Sequence, residues 1–191
     1  MRIGNRTEGE DDSHCIEKYA FKGVFHVSGG SGMWYVLQNE VSQSAKILSM
    51  KNAQEKLQAA MSYAMAHRPP VGGFPFLAAC LRQAGVQKNI WTLPGAQSIY
   101  MMQDGVVVNQ MTPLVLGMQD VPPFSEEALM AALRTDQAGQ STFPEFLMAS
   151  WKAGVIGYEV DFIARTVVYY GAQGEAYTES YGAVAVADLT F

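Results

Sequence analysis

The sequence predicts an α+β fold, one domain built from two tandem copies of a helix–helix–three-stranded-meander unit. Three observations carry that reading. Landmarks in one half of the chain recur in the other at a single ungapped offset. Apolar stripes of helical period are followed by short alternating runs bounded by Gly and Pro. The composition, 49% hydrophobic and 16% charged over 191 residues, lies in the ordinary globular range.

The repeat comes first because it organises the rest. Phe74-Pro75 recurs as Phe143-Pro144, Ala84-Gly85-Val86 as Ala153-Gly154-Val155, Tyr100 as Tyr169 and Gly105 as Gly174, all at an offset of 69. A constant offset means shared structure, so residues 74–105 and 143–174 are expected to adopt the same conformation.

The elements follow in order. From Met50 onward Ala53, Leu57, Ala60, Met61, Ala64 and Met65 form an apolar helical stripe, Asn52 and Glu55 have capping-box spacing, and Pro69-Pro70 ends the helix. The second helix starts at Phe74-Pro75 after Gly73 and closes at Gly85. Strands Ile90–Leu93, Ser98–Met102 and Val106–Gln110 are separated by turns at Pro94-Gly95 and Asp104-Gly105. Ser125 caps the next helix, with Glu126 and Glu127 in its first turn and Phe124 and Leu129 at hydrophobic-staple spacing. Thr142 and Glu145 make a capping box around Pro144, and that helix runs past Trp151 to Gly154, where a left-handed C′ residue is expected. Tyr158–Phe162, Thr166–Tyr170 and Glu175–Tyr181 complete the second meander. Residues 50–191 are thus expected to form the domain, with Met50 as its natural start. Residues 1–49 read as a poorly patterned extension, with two short strands within Gly23–Leu37.

The stretch Phe143-Pro-Glu-Phe-Leu147, then Lys152-Ala-Gly-Val155, Tyr158, Asp161, Arg165, Tyr169-Tyr170, Gly174 and Tyr177-Thr-Glu-Ser180 resembles the YdfO-like family, prophage-associated proteins of unknown function, some labelled phage envelope protein. The likeness spans residues about 50–188 and implies an α+β domain. It brings no catalytic residues with it.

Charge and motif content narrow the chemistry. The net charge is −5, and between residues 143 and 191 only Lys152 and Arg165 stand against six acids. That is no footprint for nucleic acid. No apolar run is long enough for a membrane span, and the N-terminus has no signal-peptide core, so the expected location is cytoplasmic. Of the three histidines, His14 and His26 lie in the extension, and His67 sits at a helix end where positive charge is favoured. His14-Cys15 lacks further ligands at zinc spacing, and Cys80 reads as a buried apolar residue. No metal or cofactor is expected. Ser28–Gly32 matches neither a phosphate loop nor a nucleophile elbow, and reads as a turn.

One cluster stands out: Tyr158, Glu159, Asp161, Arg165, Tyr169, Tyr170, Tyr177 and Glu179. Alternation puts Glu159 and Asp161 on one face of their strand and Tyr158, Val160 and Phe162 on the other. The cluster suggests a recognition surface for a protein partner on an accessory, non-catalytic domain. The alternative is a small hydrolase using Asp161 and Glu179 as paired carboxylates with Tyr hydroxyls.

Overall fold

The computed structural model describes residues 52–191. The expectations for Gly23–Leu37, Ser28–Gly32, His14, Cys15, His26 and the domain start at Met50 lie outside the described residues. Residues 52–67 are helical (α1), followed by α2 (Phe74–Gln83), β1 (Val86–Thr92), β2 (Gln97–Met102) and β3 (Gly105–Gln110). The second unit repeats the order with α3 (Glu126–Gln137), α4 (Phe143–Lys152), β4 (Val155–Asp161), β5 (Thr166–Gly171) and β6 (Ala176–Ser180). The boundaries of α2, β1 and β2 map onto α4, β4 and β5 at the offset of 69, and β2 and β5 share one burial pattern. Two tandem helix–helix–meander units make an α+β fold, as the sequence predicts.

Both meanders join one antiparallel sheet in the order β3-β2-β1-β4-β5-β6. The seam is β1 against β4, where Ile90 pairs with Glu159, its own counterpart in the repeat. Lys88 pairs with Asp161 and Thr92 with Gly157, which exchange under the offset, so the seam is a pseudo-twofold axis. Each copy also carries the same bulge, between Val86 and Lys88 and between Val155 and Gly157.

The helices bury one side of this sheet. Ala53, Leu57 and Ala60 of α1, Leu129 and Leu133 of α3, and Phe146, Leu147 and Trp151 of α4 meet Trp91, Tyr100, Tyr158, Val160 and Tyr169 in one core. Met65 is exposed instead of completing the α1 stripe. At 100° per residue it has turned about 120° away from Ala53. Asn52 is already helical and so does not cap α1.

The second unit's caps form as expected. Ser125 Oγ accepts from the Ala128 N–H (3.2 Å). The Thr142 N–H and hydroxyl both donate to Glu145 Oε2, at 2.8 and 2.7 Å, which holds that carboxyl below its ordinary range. Gly85 and Gly154 follow their helices at φ 92° and 83°, the left-handed region expected of them. They turn the chain straight into the sheet, so β1 and β4 begin at Val86 and Val155, earlier than alternation alone suggested. The copies differ before the last strand. Gly105 already opens β3, whereas Gly174 sits in the turn at φ 92° and β6 is displaced by one further residue.

Candidate functional site

The residues singled out from sequence go to three places. Tyr158 lies on the helix-covered side of β4, stacked on Trp91 (5.9 Å between centroids) and 5.5 Å from Tyr169, which in turn lies 6.3 Å from Tyr177. The four strands β1, β4, β5 and β6 thus carry a continuous aromatic ladder. Burial pushes the Tyr158 and Tyr169 phenols well above their usual value, with neighbouring acidic groups adding to the effect. Glu179 shares this side, because it pairs with the buried Val167. Its carboxyl is raised by burial, against a hydrogen bond from Gln137. Asp136 at the end of α3 is raised for the same reason, although Ser141 Oγ donates to it (3.1 Å).

Glu159, Asp161 and Tyr170 lie on the opposite side, which no helix among the described residues covers. Glu159 and Asp161 do point together, but both face Lys88 from β1: its ammonium donates to Glu159 Oε1 and lies 3.9 Å from Asp161 Oδ2. Asp161 Oδ1 also accepts from the N–H groups of Ile163 (2.9 Å) and Ala164 (2.7 Å), closing the β4–β5 turn. Asp161 and Glu179 therefore lie on opposite sides of the sheet, and the carboxylate pair required by the hydrolase reading does not assemble. On the same open side, β2 and β3 carry an aliphatic group: Met101 is 41% exposed, Val106 50% and Val108 56%, beside half-buried Ile90 and Ile99.

Arg165 goes to a third place, the β4–β5 turn, where it holds φ 58°. There it lines a cleft of about 400 Å3 between α2, this turn and the segment 181–186. Arg82 and Tyr181 line it too, and the Tyr181 hydroxyl is buried with no hydrogen-bond partner. Burial, with Asp161 contributing, pushes that phenol up to about 12, and Arg165 and Arg82 oppose the shift. Sequence reasoning missed Lys88, Arg82, Tyr181 and Asp136. The one signal available was a break in the repeat, since Arg82 stands where the other copy has Trp151.

His67 stacks on Tyr63 (4.1 Å) with Nδ1 2.8 Å from the Tyr63 carbonyl, a local helix-end contact. Cys80 is fully buried, and desolvation raises its thiol pKa. Among the described residues no helix is long and apolar enough to cross a membrane, and no three His, Cys, Asp or Glu side chains gather as a metal ion would require.

Uncharacterised proteins of Mycobacterium bovis and Mycobacterium tuberculosis are each 50% identical to this chain over 128 residues, covering 67% of it and 78% of their own length. Their names assign no activity. The family described as "protein of unknown function (DUF1398)" matches residues 70–180, which run from just before α2 to the end of β6. With that span matched and relatives at half identity, the chain belongs to the DUF1398 family.

Proposed function

We propose that this is a non-catalytic accessory domain that binds a protein partner across the open side of its sheet. The observation that carries the reading is the aliphatic group of Met101, Val106 and Val108. The uncovered side of an antiparallel sheet is ordinarily polar, and a contiguous apolar patch on it is a common mark of an interface. Tyr170, 40% exposed on the same side, supplies an aromatic anchor of the kind enriched at binding hot spots. Lys88 offsets one of the two charges of Glu159 and Asp161. The partner is therefore selected mainly by apolar fit, and the remaining negative charge favours a neutral or basic rim. The likeness to YdfO-like prophage proteins, read from residues 143–180, is in keeping with an accessory role.

The test is affinity capture from host lysate with the full chain and with Val106→Thr/Val108→Thr, which keeps strand-compatible β-branched residues. A specific partner should be retained by the wild type and lost by the double variant, with unchanged circular dichroism. Equal retention by both would exclude this side of the sheet. Concentration-dependent dimerisation abolished by the double variant would make the partner a second copy.

A further inference from the structure

We infer that the cleft between α2, the β4–β5 turn and residues 181–186 is a binding site for a small organic carboxylate, held by Arg82 and Arg165 with the Tyr181 hydroxyl as third donor. The donors are unspent. Among the described residues neither guanidinium takes part in an ion pair, and the buried Tyr181 hydroxyl has no partner. A buried hydroxyl without a hydrogen bond is costly, and native structures rarely leave one unless something else satisfies it. Arg82, Arg165 and Tyr181 all line the same cleft, and the charge of both arginines acts on the Tyr181 phenol.

The repeat provides an internal control. The chain at Tyr181 donates its N–H to the Arg165 carbonyl (3.1 Å), as Met111 does to Ala96 (3.0 Å), so Met111 is the counterpart of Tyr181. Arg82 corresponds to Trp151 and Arg165 to Ala96. At the pseudo-symmetric corner, between α4 and the β1–β2 turn, the residues are apolar, with Trp151 and Ala96 buried and the Leu114 and Val115 N–H groups bonded back to Pro94. The corner between α2 and the β4–β5 turn is open instead and carries two cations and a phenol. The backbone at Arg165 gives no reason for arginine. Its left-handed φ is shared by Ala96, and Gly or Asn would adopt it at lower cost.

The walls decide the ligand class. Pro75, Ala78, Ala79 and Phe162 present carbon, and about 400 Å3 lies toward the small end of ligand pockets, which run roughly 300–1,000 Å3. A guanidinium fork pairs two parallel N–H groups with a carboxylate, and the apolar walls favour an anion with a carbon body over a bare inorganic one. Asp161 is the nearby opposing charge. Its carboxylate is already committed to Ile163, Ala164 and Lys88, and the two arginines outnumber it.

The experiment is a titration of the full-length 15N-labelled chain with sodium benzoate, benzyl alcohol and inorganic phosphate. Benzoate should saturate shifts at Arg82, Arg165 and residues 181–186, while benzyl alcohol and phosphate bind at least about tenfold more weakly. Arg82→Gln and Arg165→Gln should each weaken benzoate about tenfold or more, Arg165→Lys less, and Tyr181→Phe severalfold. Both arginines are exposed, so spectra away from the cleft should stay superimposable. The inference is overturned if benzoate leaves these signals unmoved, if the glutamine variants bind it unchanged, if benzyl alcohol binds as well, or if phosphate binds more tightly.

Discussion

At the scale of single residues, the two helix-ending glycines share a backbone conformation but not an environment. A Cβ on Gly85 would meet nothing closer than the Gln103 side chain at 3.8 Å, whereas one on Gly154 would lie 2.5 Å from Phe124 Cα and from the Pro123 carbonyl oxygen. Gly85→Ala should therefore cost about 1 kcal/mol for the left-handed φ alone. Gly154→Ala adds a backbone collision and should cost several kcal/mol. Urea denaturation of both variants checks this, and equal losses would mean that the 123–124 segment moves aside freely. Asp161 offers a second case. Asp161→Ala frees two turn amides and half of the Lys88 partnership, and should destabilise by about 1–2 kcal/mol. Asp161→Asn keeps an acceptor oxygen and should cost less in the same measurement.

At the scale of elements, the pairing of α3 and β6 with the sheet makes stability depend on pH. The Asp136 and Glu179 carboxyls are both raised by burial, so protonation favours the folded chain. Their contribution is fully present below the ordinary values of 3.8 and 4.5 and is lost as pH rises through the higher folded values. Asp136→Asn/Glu179→Gln should accordingly raise Tm at neutral pH and flatten its decline from mildly acid to neutral conditions. A lower Tm at neutral pH would show that the hydrogen bonds from Ser141 and Gln137 outweigh desolvation. The elements themselves were largely legible. Caps at Ser125 and Thr142, the offset of 69 and the glycines after each helix place them within a few residues. What alternation cannot supply is the phase of one strand relative to another. Alternation correctly puts Glu159 with Asp161 on one face of β4, yet the register places Tyr177 and Glu179 of β6 on the opposite side of the sheet. Arg82 and Tyr181 were illegible for a related reason, since a contact between an α2 side chain and a segment beyond β6 leaves no local pattern.

At the scale of the whole molecule, the caps, core residues and repeat landmarks among the described residues form one consistent set, and residues 50–191 are expected to fold alone. Thermal melting of the truncated chain checks this. Loss of its cooperative transition, with the full chain keeping one, would place part of the core in residues 1–49.

The Ile90–Glu159 register carries one more consequence, for which half can live without the other. Each half offers the seam a strand that could pair with a copy of itself in the same geometry. For the first half that would set Ile90 against Ile90, an apolar cross-strand match. For the second it would set Glu159 against Glu159, with Lys88 gone and like charges facing each other. The second half therefore depends on the first for a good joint, whereas the first half could also pair with its own kind. Cut in the connection between β3 and α3, the second fragment should join the first in preference to a copy of itself. Glu159→Ile should release the second fragment to pair with its own kind, and analytical ultracentrifugation of the separated fragments would show it.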